Sequence, residues 1–381
     1  MKILVLGAGR MGFGAAFDLA HNSPEISSVT LADRDADTVN AAVSKTGSEK
    51  VFGKTADASD GDAMSRLMSD HDAAISCVNY WFNEALSRTA IETRTHFCDL
   101  GGNNYIVDKQ LALDAEAQEA GVSIIPDCGL APGMVSVLAM HGAARFEELS
   151  EIHIRVGGLP QHPEPPLDYQ LVFSVEGLIN EYVERARVIR NGEITEVQSM
   201  TEVEDLAFEG LPPLEAFQTS GGTSTLPESF KGKIKDLDYK TIRYAGHCEK
   251  FKAMIDLGLC SSDPVEVEGE EVVPRKVLGR LLEKNLPADG PDLVLVRLEF
   301  AGTADGVQKR LVYDIMDRQD EETGLSAMMR TTSFPASIIA QMMARGEVAR
   351  RGATPQESVV DPERFVSELE RRGIRIKQYF L

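Results

Sequence analysis

The 381 residues, 43% of them hydrophobic, are enough to bury a large core and favour two domains or one domain with a large insertion. A formal net charge of −21 and a sequence pI near 4.8 argue against nucleic acid and anionic membrane surfaces as partners, because both need clustered Lys and Arg. The five cysteines, Cys77, Cys98, Cys128, Cys248 and Cys260, show no C-x-x-C pair and no zinc-like spacing with histidine, so no metal site is expected and a reducing, cytoplasmic setting is.

The chain opens on the short apolar run Ile3–Leu6, which stops at glycines and is too brief for a secretory or membrane segment. Up to Gly133, such runs alternate with stretches of helical period: strands are predicted at 3–6, 29–32, 73–78, 95–98 and 122–125, with a weaker one at 51–56. Helices are predicted between them at 11–20, 36–44, 63–68, 84–92 and 109–120. This is the pattern of a doubly wound parallel sheet, a Rossmann domain over residues 1–133.

Beyond Gly133 the period changes. Ile152, Ile154 and Val156 alternate with Glu151, His153 and Arg155, as in a strand with one wet face, which makes His153 a solvated residue. Further strand-like runs at 187–190, 241–244, 293–300 and 309–315, with an Asn191-Gly192 turn, predict a mostly antiparallel sheet in an α+β domain over 134–330. Helices at 333–344 and 362–372 fall in a C-terminal segment, 331–381, expected to return to the first domain.

The turn Gly7-Ala8-Gly9-Arg10-Met11-Gly12 follows the first strand and opens a helix, and the acidic Asp33 ends the next strand. In that context the glycines permit a tight turn and close approach to a pyrophosphate, and Asp33 accepts hydrogen bonds from the adenosine ribose. An anion there repels a 2′-phosphate, which favours NAD over NADP, although the adjacent Arg34 offers either adenine stacking or a phosphate contact. Ligands of such sheets lie beyond the carboxyl ends of the strands, which adds Asp57, Cys77, Asn79, Tyr80, Leu100 and Gly101 to the candidate lining. For Cys77 a small buried strand residue is an equal alternative.

The segment Asp127–Gly133 leaves the sixth strand and runs into a helix, so Asp127 either caps a turn or does chemistry at the nicotinamide; Asp99, after the fifth strand, carries the same two readings. Through the early glycine turn, this segment and Gly157-Gly158-Leu159-Pro160, the chain resembles the saccharopine dehydrogenase-like superfamily. The stretches LDYQLVFSVEG (167–177), TSGGTSTL (219–226) and TIRYAGHCEKFKAMIDLG (241–258) are similar to those of L-lysine 6-dehydrogenases. Glutamate-forming saccharopine enzymes would carry a Glu in place of Asp127 and lack the string Asp99-Leu100-Gly101-Gly102.

That resemblance implies NAD-dependent oxidation of the ε-amine of a small cationic amino acid. The reaction needs a group that removes an ammonium proton and positions water, and Asp127, Asp99 and His247 are the candidates. It also implies that Arg243 binds the substrate carboxylate, with Thr223, Ser224, Tyr80 and Gly133 at the pocket. For Arg243 a surface ion pair is the alternative, and for Thr223 and Ser224 plain turn chemistry, while Glu249 and Lys250 read as solvated helix residues. The resemblance further implies a homodimer or dimer of dimers. A saccharopine or carboxynorspermidine-type reductase and a non-catalytic dinucleotide sensor are the competing readings.

Overall fold

Short apolar runs separated by amphipathic helices fold as parallel strands covered on both faces, since each crossover helix buries its apolar stripe on the sheet. In the computed structural model, which describes Met1–Leu381, the strands β1 (Lys2–Leu6), β2 (Ser28–Asp33), β3 (Val51–Thr55), β4 (Ala73–Ser76), β5 (His96–Asp99) and β6 (Ser123–Ile125) lie in the order β6-β5-β4-β1-β2-β3, all parallel. The order reverses between β1 and β4, the topological switch point where such sheets take ligands. Leu4, Leu6, Ala74, Phe97 and Ile124 pack with Met68, Leu86 and Ala117 of the helices as one core. The weakly predicted third strand is present.

A seventh strand, the two residues Gly352–Ala353, adds in parallel outside β6. The helix predicted at 109–120 is two helices, Asn104–Leu111 and Asp114–Ala120. The Asn103 side chain accepts from the Ile106 N–H and starts the first, and Asp114 and Glu116 in the opening turn of the second favour a new helix start.

The chain divides into two units, Met1–Arg145 with Ser224–Ser229 and Met329–Arg375, and Phe146–Thr223 with Phe230–Met328 and Ile376–Leu381. The first unit therefore extends past residue 133 through the helix Met134–Ala143, and the second contributes a six-residue stretch of its sequence to the first.

The second unit is built on one large sheet. Its strands are β7 (Glu148–Pro160), β8 (Ala186–Arg190), β9 (Glu193–Val197), β10 (Glu204–Leu206), β11 (Leu214–Gln218), β12 (Asp236–Tyr244), β15 (Asp292–Ala304), β16 (Val307–Arg318) and β18 (Lys377–Phe380); β13 (Val265–Val267) and β14 (Glu270–Val272) form a separate hairpin, and β17 is Gly352–Ala353. The main order is β10-β11-β12-β7-β15-β16-β18, antiparallel except for the pair β12–β7. Asn191 and Gly192, both at positive φ (53° and 85°), close the β8–β9 hairpin as a two-residue loop requires.

His153 is not a solvated residue. Its Nδ1 lies 2.8 Å from Asp238 Oδ1, an oxygen that also accepts from Arg155 Nη1 at 2.8 Å, because β7 and β12 lie side by side and set these charges on one face. The apolar side of the sheet packs Phe217, Phe251, Tyr182, Leu178 and Leu282. No helix is long and apolar enough to cross a membrane.

Candidate active site

The glycine turn after β1 is dictated by packing at two positions and open at the third. Gly7 has φ +97°, and a Cβ there would lie 2.8 Å from the Cys77 carbonyl oxygen; at Gly12 it would lie 1.7 Å from the Gly7 carbonyl oxygen. At Gly9 nothing lies within 4 Å. Gly9 also begins the helix Arg10–His21, which has no side-chain cap and no acidic residue in its first turn. An uncapped helix N-terminus facing clear space fits a pyrophosphate.

Asp33, at the end of β2, binds this turn directly: Oδ2 accepts from the Ala8 N–H at 2.8 Å and Oδ1 from the Asp35 N–H at 3.1 Å. Each oxygen keeps a lone pair for a ribose hydroxyl. Arg10 and Arg34 are exposed beside the turn, while the Met11 carbonyl accepts from Ser333 Oγ at 2.8 Å. Asp57 is exposed and accepts from the N–H and hydroxyl of Ser59 at 2.8 and 2.7 Å, bonds that hold its carboxyl below the usual range.

Just past the end of β4, Cys77 gives its N–H to the Leu6 carbonyl, and burial pushes its thiol well up. Asn79 is exposed and leads a single 3-10 turn, Tyr80–Phe82. Tyr80 packs edge-on against Trp81, 5.5 Å between centroids, and its ring fills the place a side chain at Gly102 would take.

The two carboxylates Asp99 and Asp127 stand at the ends of neighbouring strands and have different fates. Asp99 is fully buried; Oδ1 accepts from the N–H groups of Gly101 (2.7 Å) and Asp127 (3.2 Å), and Oδ2 from Gln110 Nε2 (2.7 Å). Its oxygens hold the loop after β5 and the Gln110 side chain in place. Asp127 sits at φ +61°, is 1% exposed, accepts from Ser224 Oγ through Oδ2, and has no partner at Oδ1. Burial, then the charge of Asp99, pushes its carboxyl up to about 8 against the opposing Ser224 bond. Leu100, half-buried, and Gly101 connect the two: a Cβ on Gly101 would lie 2.0 Å from Asp127 Oδ1. At Gly133 the backbone itself requires a glycine. Its φ is +133°, a Cβ would meet the Gly129 backbone at 2.2 Å, and it starts the helix Met134–Ala143.

In the second unit Arg243, on β12, is 2% exposed and forms no ion pair. Its Nε donates to Tyr182 Oη at 2.8 Å, its Nη1 to the Ile242 carbonyl at 2.9 Å, and its guanidinium lies 4.8 Å from the Tyr169 ring centroid. His247 completes this network. Its Nδ1 donates to the Leu167 carbonyl (2.9 Å) and its Nε2 accepts from Tyr182 Oη (3.1 Å), a tautomer assigned from the bonding pattern. Burial and then Arg243 pull its pKa down to about 3, so it stays neutral and both nitrogens are occupied. Thr223 donates to the Arg187 carbonyl at 3.1 Å, ordinary loop chemistry, whereas Ser224 belongs to the first unit with Asp127.

Residues 3–125 match the saccharopine dehydrogenase NADP binding domain, and residues 129–374 match the saccharopine dehydrogenase C-terminal domain. The chain belongs to the saccharopine dehydrogenase family. It is 26% identical over 307 residues to the L-glutamate-forming saccharopine dehydrogenase of Saccharomyces cerevisiae, and this sequence alignment covers 74% of the chain and 63%, less than two thirds, of the yeast protein. It is 22% identical over 401 residues to carboxynorspermidine synthase of Vibrio alginolyticus, covering 98% and 96% of the two chains. The apo structure of the yeast saccharopine dehydrogenase superposes with a TM-score of 0.81 at 20% identity, covering 100% of this chain and 99% of that one. Homospermidine synthase of Legionella pneumophila, solved with NAD, gives 0.68 at 12% identity over 100% and 91%. At these identities the structures show the shared fold.

Two acidic residues of this saccharopine dehydrogenase-family chain escaped the sequence reading. Glu357, 4% exposed, accepts from Thr225 Oγ1 (2.7 Å) and Ser229 Oγ (2.8 Å), has no partner at Oε2, and adds to the raised pKa of Asp127. Glu181, on the helix Val175–Val183, is half-buried, and burial pushes it up to about 7 against the pull of Arg243. A Glu on a helix reads as solvated by default, and nothing in the local pattern marks either one.

Proposed function

We propose that the protein catalyses NAD-dependent oxidative deamination of the L-lysine ε-amine, giving ammonia and the 6-semialdehyde, which closes on its own α-amine. The observation that carries this reading is Asp127: a buried carboxyl with one partnerless oxygen and a pKa of about 8, at the carboxyl end of a strand in the nucleotide-binding sheet.

A lysine ammonium, with an ordinary pKa of about 10.4, resists oxidation until it loses a proton. Asp127 takes that proton, and Ser224 fixes the orientation of its carboxyl. The bound nicotinamide supplies the hydride acceptor. Asp127 next removes a proton from the water that adds to the carbon–nitrogen double bond, and returns one to the departing nitrogen. In balance, one hydride leaves the substrate carbon, one water is consumed, ammonium departs and one proton goes to solvent.

NAD rather than NADP is favoured by Asp33, whose carboxylate stands against the glycine turn where a 2′-phosphate would meet a like charge. A second reading rests on the end-to-end alignment with carboxynorspermidine synthase. In that reading Asp127 acts as the acid of a reductive coupling between an amine and a carbonyl compound.

The test is NADH absorbance of the purified protein with NAD and L-lysine, saccharopine, ornithine or glutamate at mildly alkaline pH, with ammonia assayed in parallel. Reduction with lysine and stoichiometric ammonia supports deamination. Silence with all four, together with NADH consumption by a diamine plus an aldehyde, moves the assignment to reductive coupling.

A further inference from the structure

Asp127 receives its hydroxyl partner from a distant part of the chain. The stretch Ser224–Ser229 lies in the first unit although the sequence on either side of it belongs to the second. Within it Ser224, at φ 41°, donates to Asp127 Oδ2. Two further hydroxyls of the stretch end on one acceptor: Thr225 Oγ1 donates to Glu357 Oε1 at 2.7 Å and Ser229 Oγ to the same oxygen at 2.8 Å. Thr225 and Ser229 stand one turn apart along the short helix Leu226–Phe230, so their side chains share a face and converge on one carboxylate. The adjacent residues Ser224 and Thr225 thus join two carboxyls, Asp127 and Glu357.

Glu357 is brought there by the last strand of the sheet. β17 runs parallel to β6 with Ala353 opposite Ile124, and the Thr354 N–H donates to the Ile124 carbonyl at 3.0 Å. The helix Gln356–Val359 follows at once, which sets Glu357 at the carboxyl edge where Asp127 leaves β6. Glu357 is 4% exposed, so water does not compete for Oε1, and its two bonds have a carboxyl as acceptor in a dry place, where such bonds are strong. The charged groups acting on Asp127 are Asp99 from the end of β5 and Glu357; the adjacent Cys128 thiol is pushed up by burial and stays neutral. The Ser224 bond opposes both carboxylates, and it outweighs Glu357 though not Asp99.

We propose that Glu357 is a positioning residue for Asp127: it grips Thr225 and Ser229, and through them holds the Ser224 hydroxyl against the carboxyl that handles the proton. The inference rests on the proposed function for the role of Asp127 as a base. Glu357 then acts on Asp127 in two opposed ways. Its charge disfavours ionisation directly, while its grip favours ionisation through Ser224, and the grip is the stronger because the bond outweighs the charge. A neutral acceptor at 357 keeps the grip and loses the charge, whereas an apolar side chain loses both.

The test titrates the Asp127 carboxyl of the intact protein by carbon-13 NMR, its resonance being the one that Asp127→Asn removes, and sets it beside the pH profile of kcat/KM. The unaltered carboxyl titrates near pH 8. In Glu357→Gln, whose amide oxygen still accepts both hydroxyls, the midpoint moves down; in Glu357→Leu it moves up, as it does in Ser224→Ala, where the shift is about one pH unit. Glu357→Leu also lowers kcat at least about tenfold, and Glu357→Gln recovers most of that loss. Where the Leu variant does not fold, Thr225→Val combined with Ser229→Ala removes the same grip and moves the midpoint up. Downward shifts in both Gln and Leu variants mean that only the charge of Glu357 reaches Asp127, and no shift in either means a merely structural role; each result overturns the proposal. The NMR titration needs no turnover. Opposed shifts in a protein that does not oxidise lysine uphold the positioning and remove the proposed deamination, while lysine oxidation without opposed shifts does the reverse.

Discussion

Gly101 leaves room for Asp127: a Cβ at residue 101 would sit 2.0 Å from Asp127 Oδ1, the oxygen without a partner. With φ at +79°, Gly101 is also in the left-handed region that side chains avoid. Gly101→Ala is expected to displace the carboxyl and strain the loop, lowering kcat at least about a hundredfold and stability by about 1–3 kcal/mol. Asp127→Asn keeps the volume and removes the proton acceptor, so kcat falls about a thousandfold while nucleotide affinity is unchanged. Steady-state kinetics with fluorescence titration of NADH checks both, and an Asn variant within tenfold of the parent removes Asp127 from the chemistry.

The raised pKa of Asp127 fixes the sign of two pH dependences. As a base it works only when ionised, so kcat/KM rises about tenfold per pH unit up to about 8 and levels above it. For stability the native state holds this proton more tightly than the unfolded chain, whose Asp titrates near 3.9. The penalty of burial therefore grows as pH climbs from about 4 to about 8. Asp127→Asn carries no such penalty, and its melting temperature is expected to exceed the parent's by several degrees at pH 9, with the gap closing toward pH 4. A gap independent of pH would show that Asp127 does not ionise in that range.

The three glycines of the first turn separate folding from binding. Gly12→Ala places Cβ 1.7 Å from the Gly7 carbonyl and is expected to destabilise severely, whereas at Gly9 the added methyl meets nothing within 4 Å. Gly9→Ala is thus expected to melt within about 0.5 kcal/mol of the parent and to bind NADH about tenfold or more weakly, because the methyl occupies the pyrophosphate's approach. Asp33→Ala should erode the preference for NAD over NADP and weaken both, since the carboxylate also holds the Ala8 N–H. Calorimetry and paired titrations with the two dinucleotides separate these outcomes.

What could be read from the chain was what is local. The glycine turn, the apolar strands and Asp33 announce themselves within about 30 residues, and their arrangement follows from general rules of parallel sheets. The strand Gly352–Ala353 is too short to carry a period, and the parallel pairing of β12 with β7 leaves no mark in either strand's alternation. Charge states were hidden for the same reason. His247 has an ordinary neutral-range titration in isolation, and only burial, Arg243 and the Leu167 carbonyl make it a fixed neutral bridge. Asp99 and Asp127 share residue type and position at strand ends, yet one accepts three bonds and the other keeps an oxygen free. Glu181 is distinguished by Arg243, which lies 62 positions further along the chain.

The charges on the opposite side of β12 from Arg243 make the last prediction. Residues 238 and 240 alternate with 239, 241 and 243, so Asp238 and Lys240 face away from Arg243. Asp238, 3% exposed, accepts from Arg155 and His153 at 2.8 Å each and from Arg190 at 3.2 Å; Glu204 takes Arg155 Nε and, at 2.6 Å, Lys240 Nζ. Burial opposes the Asp238 charge, but the His153 bond and the Arg155 charge win and hold its carboxyl far below the usual range. Burial likewise opposes protonated His153, and Asp238 outweighs it and raises the imidazole pKa. Asp238→Asn leaves Arg155 buried beside a neutral group and is expected to cost about 3–5 kcal/mol, with KM for substrate unchanged because Arg243 points to the other face. The Asp238 contribution is present above the unfolded Asp value of about 3.9 and is lost below it, while the His153 share is complete below about 6.5 and is lost as pH rises through its elevated folded value. The stability difference between parent and variant, measured by urea denaturation, is therefore expected to be largest between about pH 4 and 6.5 and to narrow on either side. A difference that stays flat from pH 4 to 9 would remove His153 from the cluster's energetics.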